Sequence, residues 1–226
     1  MTSYNLPKRL LAELIGTALL VATVVGSGIM ATQLTRDVGL QLLGNTLPTG
    51  AILFVLITLL SPISGAHFNP AVSLVFTLKK ELSFPECFAY TLFQIAGGII
   101  GTIIAHGMFD LSLIALSTKI RTGHALWFAE AVATFGLVMT ILLGVRHAQQ
   151  AIPALVAFYI TAAYWFTAST SFANPAVTIA RSLTNSFSGI APENVIGFIT
   201  AQMVGALVAF FVVGLLSPTR STESEV

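Results

Sequence analysis

The chain has 226 residues, of which 55% are hydrophobic and 8% charged, against roughly 25% charged in soluble globular proteins. So few charges cannot cover the surface of a water-soluble domain of this length, and the composition indicates a polytopic membrane protein. A formal net charge of +1 argues against nucleic acid as a partner, and a single cysteine, Cys87, excludes an internal disulfide.

Lys8 and Arg9 precede an apolar run with no short core and cleavage site, so the run reads as a first span rather than a removed leader. A spanning helix needs about 20 mostly apolar residues. Six stretches qualify: roughly 10–31, 40–60, 87–109, 125–145, 148–167 and 195–216. Two shorter apolar pieces, 69–78 and 174–183, lie between the second and third and between the fifth and sixth spans. At about 1.5 Å per residue each covers about 15 Å, half of a hydrocarbon core of roughly 30 Å. Two such half-helices meeting end to end at the midplane make one further crossing. With six full spans both termini lie on one side. Lys8, Arg9, Lys79, Lys80, Arg146 and Arg220 fall on that side, and Arg36, Lys119, Arg121 and Arg181 on the other. Six against four favours cytoplasmic termini. The polar tail after Pro218 is expected to fray.

Both short pieces open on the same phrase. Residues 64–72 read Ser-Gly-Ala-His-Phe-Asn-Pro-Ala-Val, and 171–177 read Ser-Phe-Ala-Asn-Pro-Ala-Val. Asn is a preferred helix N-cap and Pro is favoured at the first helical position, so Asn69-Pro70-Ala71 and Asn174-Pro175-Ala176 each read as a helix start. Repetition goes further. Ala12-Glu13 matches Ala129-Glu130, and Gln94-Ile-Ala-Gly97 matches Gln202-Met-Val-Gly205, in the same order around each phrase. The chain is thus one domain, 1–226, of two repeats, about 8–109 and 124–216. Each repeat holds three full spans, so the second enters the membrane inverted, as in many transport proteins. Gly97-x-x-x-Gly101 suits close helix packing in lipid.

These features predict a pore. The capped ends of two half-helices facing each other at the bilayer centre are electropositive and present unpaired donors, which suits neutral hydrogen-bonding solutes and repels cations. Glu13 and Glu130 are intramembrane carboxylates. They either couple protons or accept hydrogen bonds from re-entrant backbone that finds no water. Gln94 and Gln202 are expected to serve packing between the repeats. His67 is either a pore-lining group or a satisfied loop histidine. His106, His124 and His147 sit near span ends and read as interfacial, with no metal-ligand spacing. No hydrolase constellation is present, and neither an enzyme nor a cofactor is expected.

The doubled motif with its paired Glu and Gln residues resembles the major intrinsic proteins, the aquaporin and aquaglyceroporin family, over about 8–216. The resemblance implies an all-α membrane protein of six transmembrane helices plus two re-entrant half-helices, arranged as an inverted repeat and assembled as a homotetramer with one pore per subunit. It also implies that Gly65, Ala66 and His67, with Phe172 and Ala173, line the pore.

Most of that family has Arg after the second Asn-Pro-Ala; here Val177 follows. Counting from the motifs puts the other filter positions at Thr49, Ala162 and Ser171, with Thr161 or Ala163 as alternatives for the fifth span. This set is small, uncharged and without an aromatic, which implies a wide filter unless Phe166 or Phe172 refills the space. Arg181, four residues beyond Val177, is not assumed to replace the missing Arg. The segment 174–183 resembles a bacterial branch associated with arsenic resistance. The expected function is therefore passive passage of water and small neutral solutes across an inner (plasma) membrane: glycerol-like polyols, arsenite and methylated arsenicals. A water-selective aquaporin and a proton-coupled transporter are the alternatives.

Overall fold

The structure, a computed structural model, describes residues 4–216. The tail after Pro218, with the Arg220 of the charge count, lies outside the described residues. Eight α-helices follow in order: α1 Leu6–Leu34, α2 Val38–Ser64, α3 Pro70–Leu78, α4 Phe84–Met108, α5 His124–His147, α6 Ile152–Phe166, α7 Pro175–Arg181 and α8 Val195–Leu215. Local chemistry sets their ends. The Asn5, Asp37 and Ser83 side chains cap α1, α2 and α4, with Ser83 and Glu86 forming a reciprocal capping box. α2 tolerates Pro48 and Pro62 and stops at Gly65, whose φ of 87° turns the chain left-handed.

Among the described residues, five helical segments are long and apolar enough to cross a membrane. The sixth crossing, expected over 148–167, is shorter. A single 3₁₀ turn, Gln149–Ala151, leads into the 15 residues of α6, which is about 22 Å of helix. α6 ends where Thr167 becomes extended and its hydroxyl donates to the Ala163 carbonyl at 2.7 Å.

The two repeats pack alike. α1 lies against α4 as α5 lies against α8, and α1–α2 corresponds to α5–α6. α3 packs on α4 of its own repeat and on α8 of the other, while α7 packs on α8 and on α4. Small residues permit this closeness. A Cβ on Gly97 would run into the Leu14 carbonyl, and one on Gly205 into the Ala131 carbonyl, the same collision in each repeat.

Beyond the bundle, the loop 109–123 folds back on the loop 182–191. Ala115 and Ser117 donate backbone hydrogen bonds to Leu183 and Ser182, each at 3.0 Å. His106 is buried at this junction rather than interfacial. Its Nδ1 lies 2.7 Å from the Ser112 carbonyl and its Nε2 2.7 Å from the Thr184 hydroxyl. A residue near a helix end was thus captured by a returning loop.

Candidate functional site

The two motifs meet at the middle of the bundle, where α3 and α7 touch. Asn69 Oδ1 accepts from the Ala71 amide at 2.9 Å. Asn174 Oδ1 accepts from the amides of Ala176 and Val177 at 3.0 and 3.2 Å. Each side-chain amide then reaches into the other repeat: Asn69 Nδ2 donates to the Ala173 carbonyl at 2.7 Å, and Asn174 Nδ2 to the Phe68 carbonyl at 2.8 Å. An NH₂ group has two hydrogens. One is spent on the crossed cap, and both asparagines line a cavity of about 540 Å³. Pro70, Ala71, Pro175 and Ala176 are buried behind them and do not line it.

The re-entrant loops before each motif are held by the intramembrane carboxylates. Glu13 Oε1 accepts from the Ser64 hydroxyl at 2.7 Å and the His67 amide at 3.0 Å; Oε2 accepts from the Phe68 amide at 2.6 Å and Gln94 Nε2 at 2.8 Å. Glu130 accepts from the Phe172 and Ala173 amides, both at 2.9 Å, and from Gln202 Nε2 at 2.6 Å. Gln94 also donates to the Ser73 hydroxyl at 3.0 Å, and Gln202 to the Thr178 hydroxyl at 2.8 Å. Such backbone has no water to turn to in the bilayer, and its shape is demanding. Ala66, Phe68, Ser171 and Ala173 have φ of 51°, 50°, 50° and 47°, costly for residues with a Cβ. The carboxylates hold those conformations.

Gly65, Ala66, His67, Phe172 and Ala173 line the cavity together with Thr49, Ser171 and Val177. His67 also packs against Phe76 and Tyr90, with ring centroids 4.7 and 5.4 Å away, and its Nδ1 lies 3.1 Å from the Ser73 hydroxyl.

Ala162 does not join them. It faces outward, exposed, and the cavity stripe of α6 is Pro153, Val156, Ile160 and Tyr164. A residue two positions from both Ile160 and Tyr164 lies about 200° around the helix from each, on the opposite face. None of Thr161, Ala162 and Ala163 lines the cavity; Tyr164 does, and its hydroxyl is 3.4 Å from that of Thr49. The filter set is expected from the sequence to hold no aromatic; Tyr164 lines the cavity near Thr49, Phe172 lines it as expected, and Phe166 is exposed.

Arg181 is the larger surprise. It is 2% exposed, lines the same cavity, and its guanidinium centre lies 3.4 Å from the Phe172 ring centroid. Arg121, from the returned loop, stands 5.2 Å from that ring, so Phe172 carries two cations. Three successive carbonyls receive three cations: Phe187 from Lys119 Nζ at 2.8 Å, Ser188 from Arg181 Nε, and Gly189 from Arg121 Nε at 2.9 Å. Burial first, then the charges of Arg121 and Arg181, push the Lys119 amine down to about 8. Burial likewise lowers Arg121. Among the described residues no group of His, Cys, Asp and Glu converges as a metal would need.

A multi-pass helical bundle whose two half-helices meet in a lined central cavity defines a membrane channel of inverted-repeat design. The model of the family described as Major intrinsic protein matches residues 1–164, and the chain belongs to that family. Aquaglyceroporin AqpS of Rhizobium meliloti (strain 1021) is 58% identical over 221 residues, 97% of this chain and 95% of that protein. Aquaporin TIP1-2 of Musa acuminata is 33% identical over 146 residues, 59% of this chain and 55% of that relative, so this alignment spans about half of it. The X-ray structure of the aquaglyceroporin from Plasmodium falciparum superposes with a TM-score of 0.71 at 19% identity, covering 92% of this chain and 95% of that one. That likeness is one of fold.

Proposed function

We propose that the chain is a passive channel for small uncharged solutes: glycerol-like polyols, arsenous acid and methylated arsenicals, and water. The observation that carries this reading is the cavity that passes both motif asparagines and has Val177 where most of the family has Arg. Its wall is largely apolar, with Leu20, Val24, Leu53 and Ile160 among its members. Each solute hydroxyl is handed between sparse polar groups: Thr49, Tyr164, Ser171 and the two asparagine amides. Arsenous acid is neutral near pH 7 and presents hydroxyls much as a small polyol does. The filter is open at Val177 and polar one helical turn further out, at Arg181. The AqpS relative, an aquaglyceroporin by name, supports the solute class.

The engagement of Glu13 and Glu130 with loop backbone speaks against proton coupling, because a proton added to either carboxylate removes the charge assistance of its three or four hydrogen bonds and sets an O–H against the donors at one oxygen. The chain forms one channel domain in an inner (plasma) membrane, with both termini cytoplasmic on the charge count. Four copies assemble through apolar outer faces that include Leu59 and Phe158. Stopped-flow light scattering on proteoliposomes tests the reading, with arsenite uptake in parallel. Glycerol and arsenite entry well above empty liposomes is expected; fast water flux with no solute entry would make this a water-selective aquaporin.

A further inference from the structure

The end of the cavity at Arg181 holds more positive charge than the transport of neutral solutes requires. Lys119, Arg121 and Arg181 gather there, and each is met by a backbone carbonyl. Among the described residues the ion pairs are Arg9–Glu86 and Lys79–Glu81, so no carboxylate is paired with any of the three. The carboxylate that acts on Arg121 and Arg181 through space is Glu130, and its oxygens are taken by Phe172, Ala173 and Gln202. Two polar groups are left over. Arg181 Nη1 and Ser171 Oγ are buried without a hydrogen-bond partner, and both residues line the cavity. Ser171 adjoins Phe172, whose ring lies under the Arg181 guanidinium. A leftover donor on a buried guanidinium, a leftover hydroxyl on the wall of the same cavity and three cations without an ion pair together describe a place for an anion.

We propose that this end of the cavity is an oxyanion-binding subsite, where Arg181 Nη1 and the Ser171 hydroxyl hold a small planar monoanion that competes with uncharged solutes for entry. The anion stops there. Elsewhere the wall is largely apolar, with Val177, Val24, Leu20 and Leu53, and its sparse hydroxyls and asparagine amides replace too little of the water a charge would shed. A neutral polyol takes the same donors and moves on. Anion binding itself does not depend on the proposed function; only its effect on flux does.

Nitrate is the probe. Calorimetric titration of nitrate into the detergent-solubilised full chain, at constant ionic strength against chloride, is expected to saturate. Glycerol flux in proteoliposomes is expected to fall with the same midpoint. Losing one charge-assisted hydrogen bond in Arg181→Met raises that midpoint about tenfold or more. Ser171→Ala raises it about threefold and keeps the fold, since that hydroxyl makes no hydrogen bond within the protein and the matching position of the first repeat is already Ala66 at φ 51°. Should Arg181→Met fail to fold, Ser171→Ala decides alone. Absence of saturable nitrate binding, or an unchanged midpoint in folded variants, overturns the subsite. Nitrate binding in a protein without glycerol flux would refute the polyol reading of the channel and leave the subsite standing; glycerol flux without nitrate binding would do the reverse.

Discussion

Glu13→Gln separates a carboxylate that braces a loop from one that carries protons. The glutamine keeps the shape and replaces one acceptor oxygen by an NH₂. Toward Oε2 that NH₂ would oppose two donors, the Phe68 amide and Gln94 Nε2. Toward Oε1 it meets the Ser64 hydroxyl, which can turn to accept, and the His67 amide, which cannot. The second orientation is the better one, and it orphans one buried N–H at a cost of about 1–3 kcal/mol. The two bonds at Oε2 lose their charge assistance, about 1 kcal/mol each. The relieved burial of a charge offsets part of this, leaving a net loss of about 3 kcal/mol. For a chain of this size that lowers the melting midpoint by about 6–12 °C. The assay is thermal unfolding of detergent-solubilised protein, with water flux recorded on the same preparation. A midpoint within about 2 °C of the wild type would mean that the side chain is already neutral there, and the bracing account of Glu13 would be wrong.

Val177→Arg adds a guanidinium beside Thr49 and Ser171 and is expected to cut glycerol flux more than water flux, read by stopped-flow on both; equal losses would remove Val177 from the constriction. Gly97→Ala and Gly205→Ala each push a methyl into a facing carbonyl and should each cost about 1–3 kcal/mol in thermal unfolding, with similar losses if the repeats are equivalent. Asn69→Asp with Asn174→Asp puts anions at the crossed caps, and cation conductance across planar bilayers should appear; its absence in correctly inserted protein would show that exclusion lies elsewhere. Because Lys119 sits near 8 in the folded protein and at about 10.4 when unfolded, the unfolded chain holds more protons between these values, so folding stability rises with pH there. In the same range the amine loses its charge, so nitrate binds more weakly at about pH 9 than at about pH 7, a difference Lys119→Gln should abolish.

The sequence makes legible those features that depend on local chemistry or on duplication. The half-helices follow from Asn-Pro after a non-helical loop, and the repeat from two ordered sets of Ala-Glu, Asn-Pro-Ala-Val and Gln-x-x-Gly. The fifth-span lining position escapes because α6 is apolar on both faces, one toward lipid and one toward the cavity, so no polarity contrast marks its register. Counting back from Asn174 crosses the bends at Thr167 and Thr170 and lands on Ala162, the outward side. A tyrosine four residues after Ile160 is the one local hint. Arg181 and His106 are illegible for another reason. Their burial depends on loop 109–123 returning over loop 182–191, about 70 residues away in the chain, and nothing near either residue announces it.

The crossed asparagine caps bear on how the protein is made. Asn69 finds its acceptor 104 residues later in the chain, and Asn174 finds its own 106 residues earlier. At about 5–20 residues per second, the first half-helix is synthesised about 5–20 s before the partner that completes it. During that interval α3 is a short apolar segment with an open end, already inside or beside the bilayer. Glu13, Ser64 and Gln94 all precede or closely follow it in the chain, so a nascent first repeat can hold its own loop while it waits. Insertion of this protein is therefore a matter of keeping one half in readiness for the other.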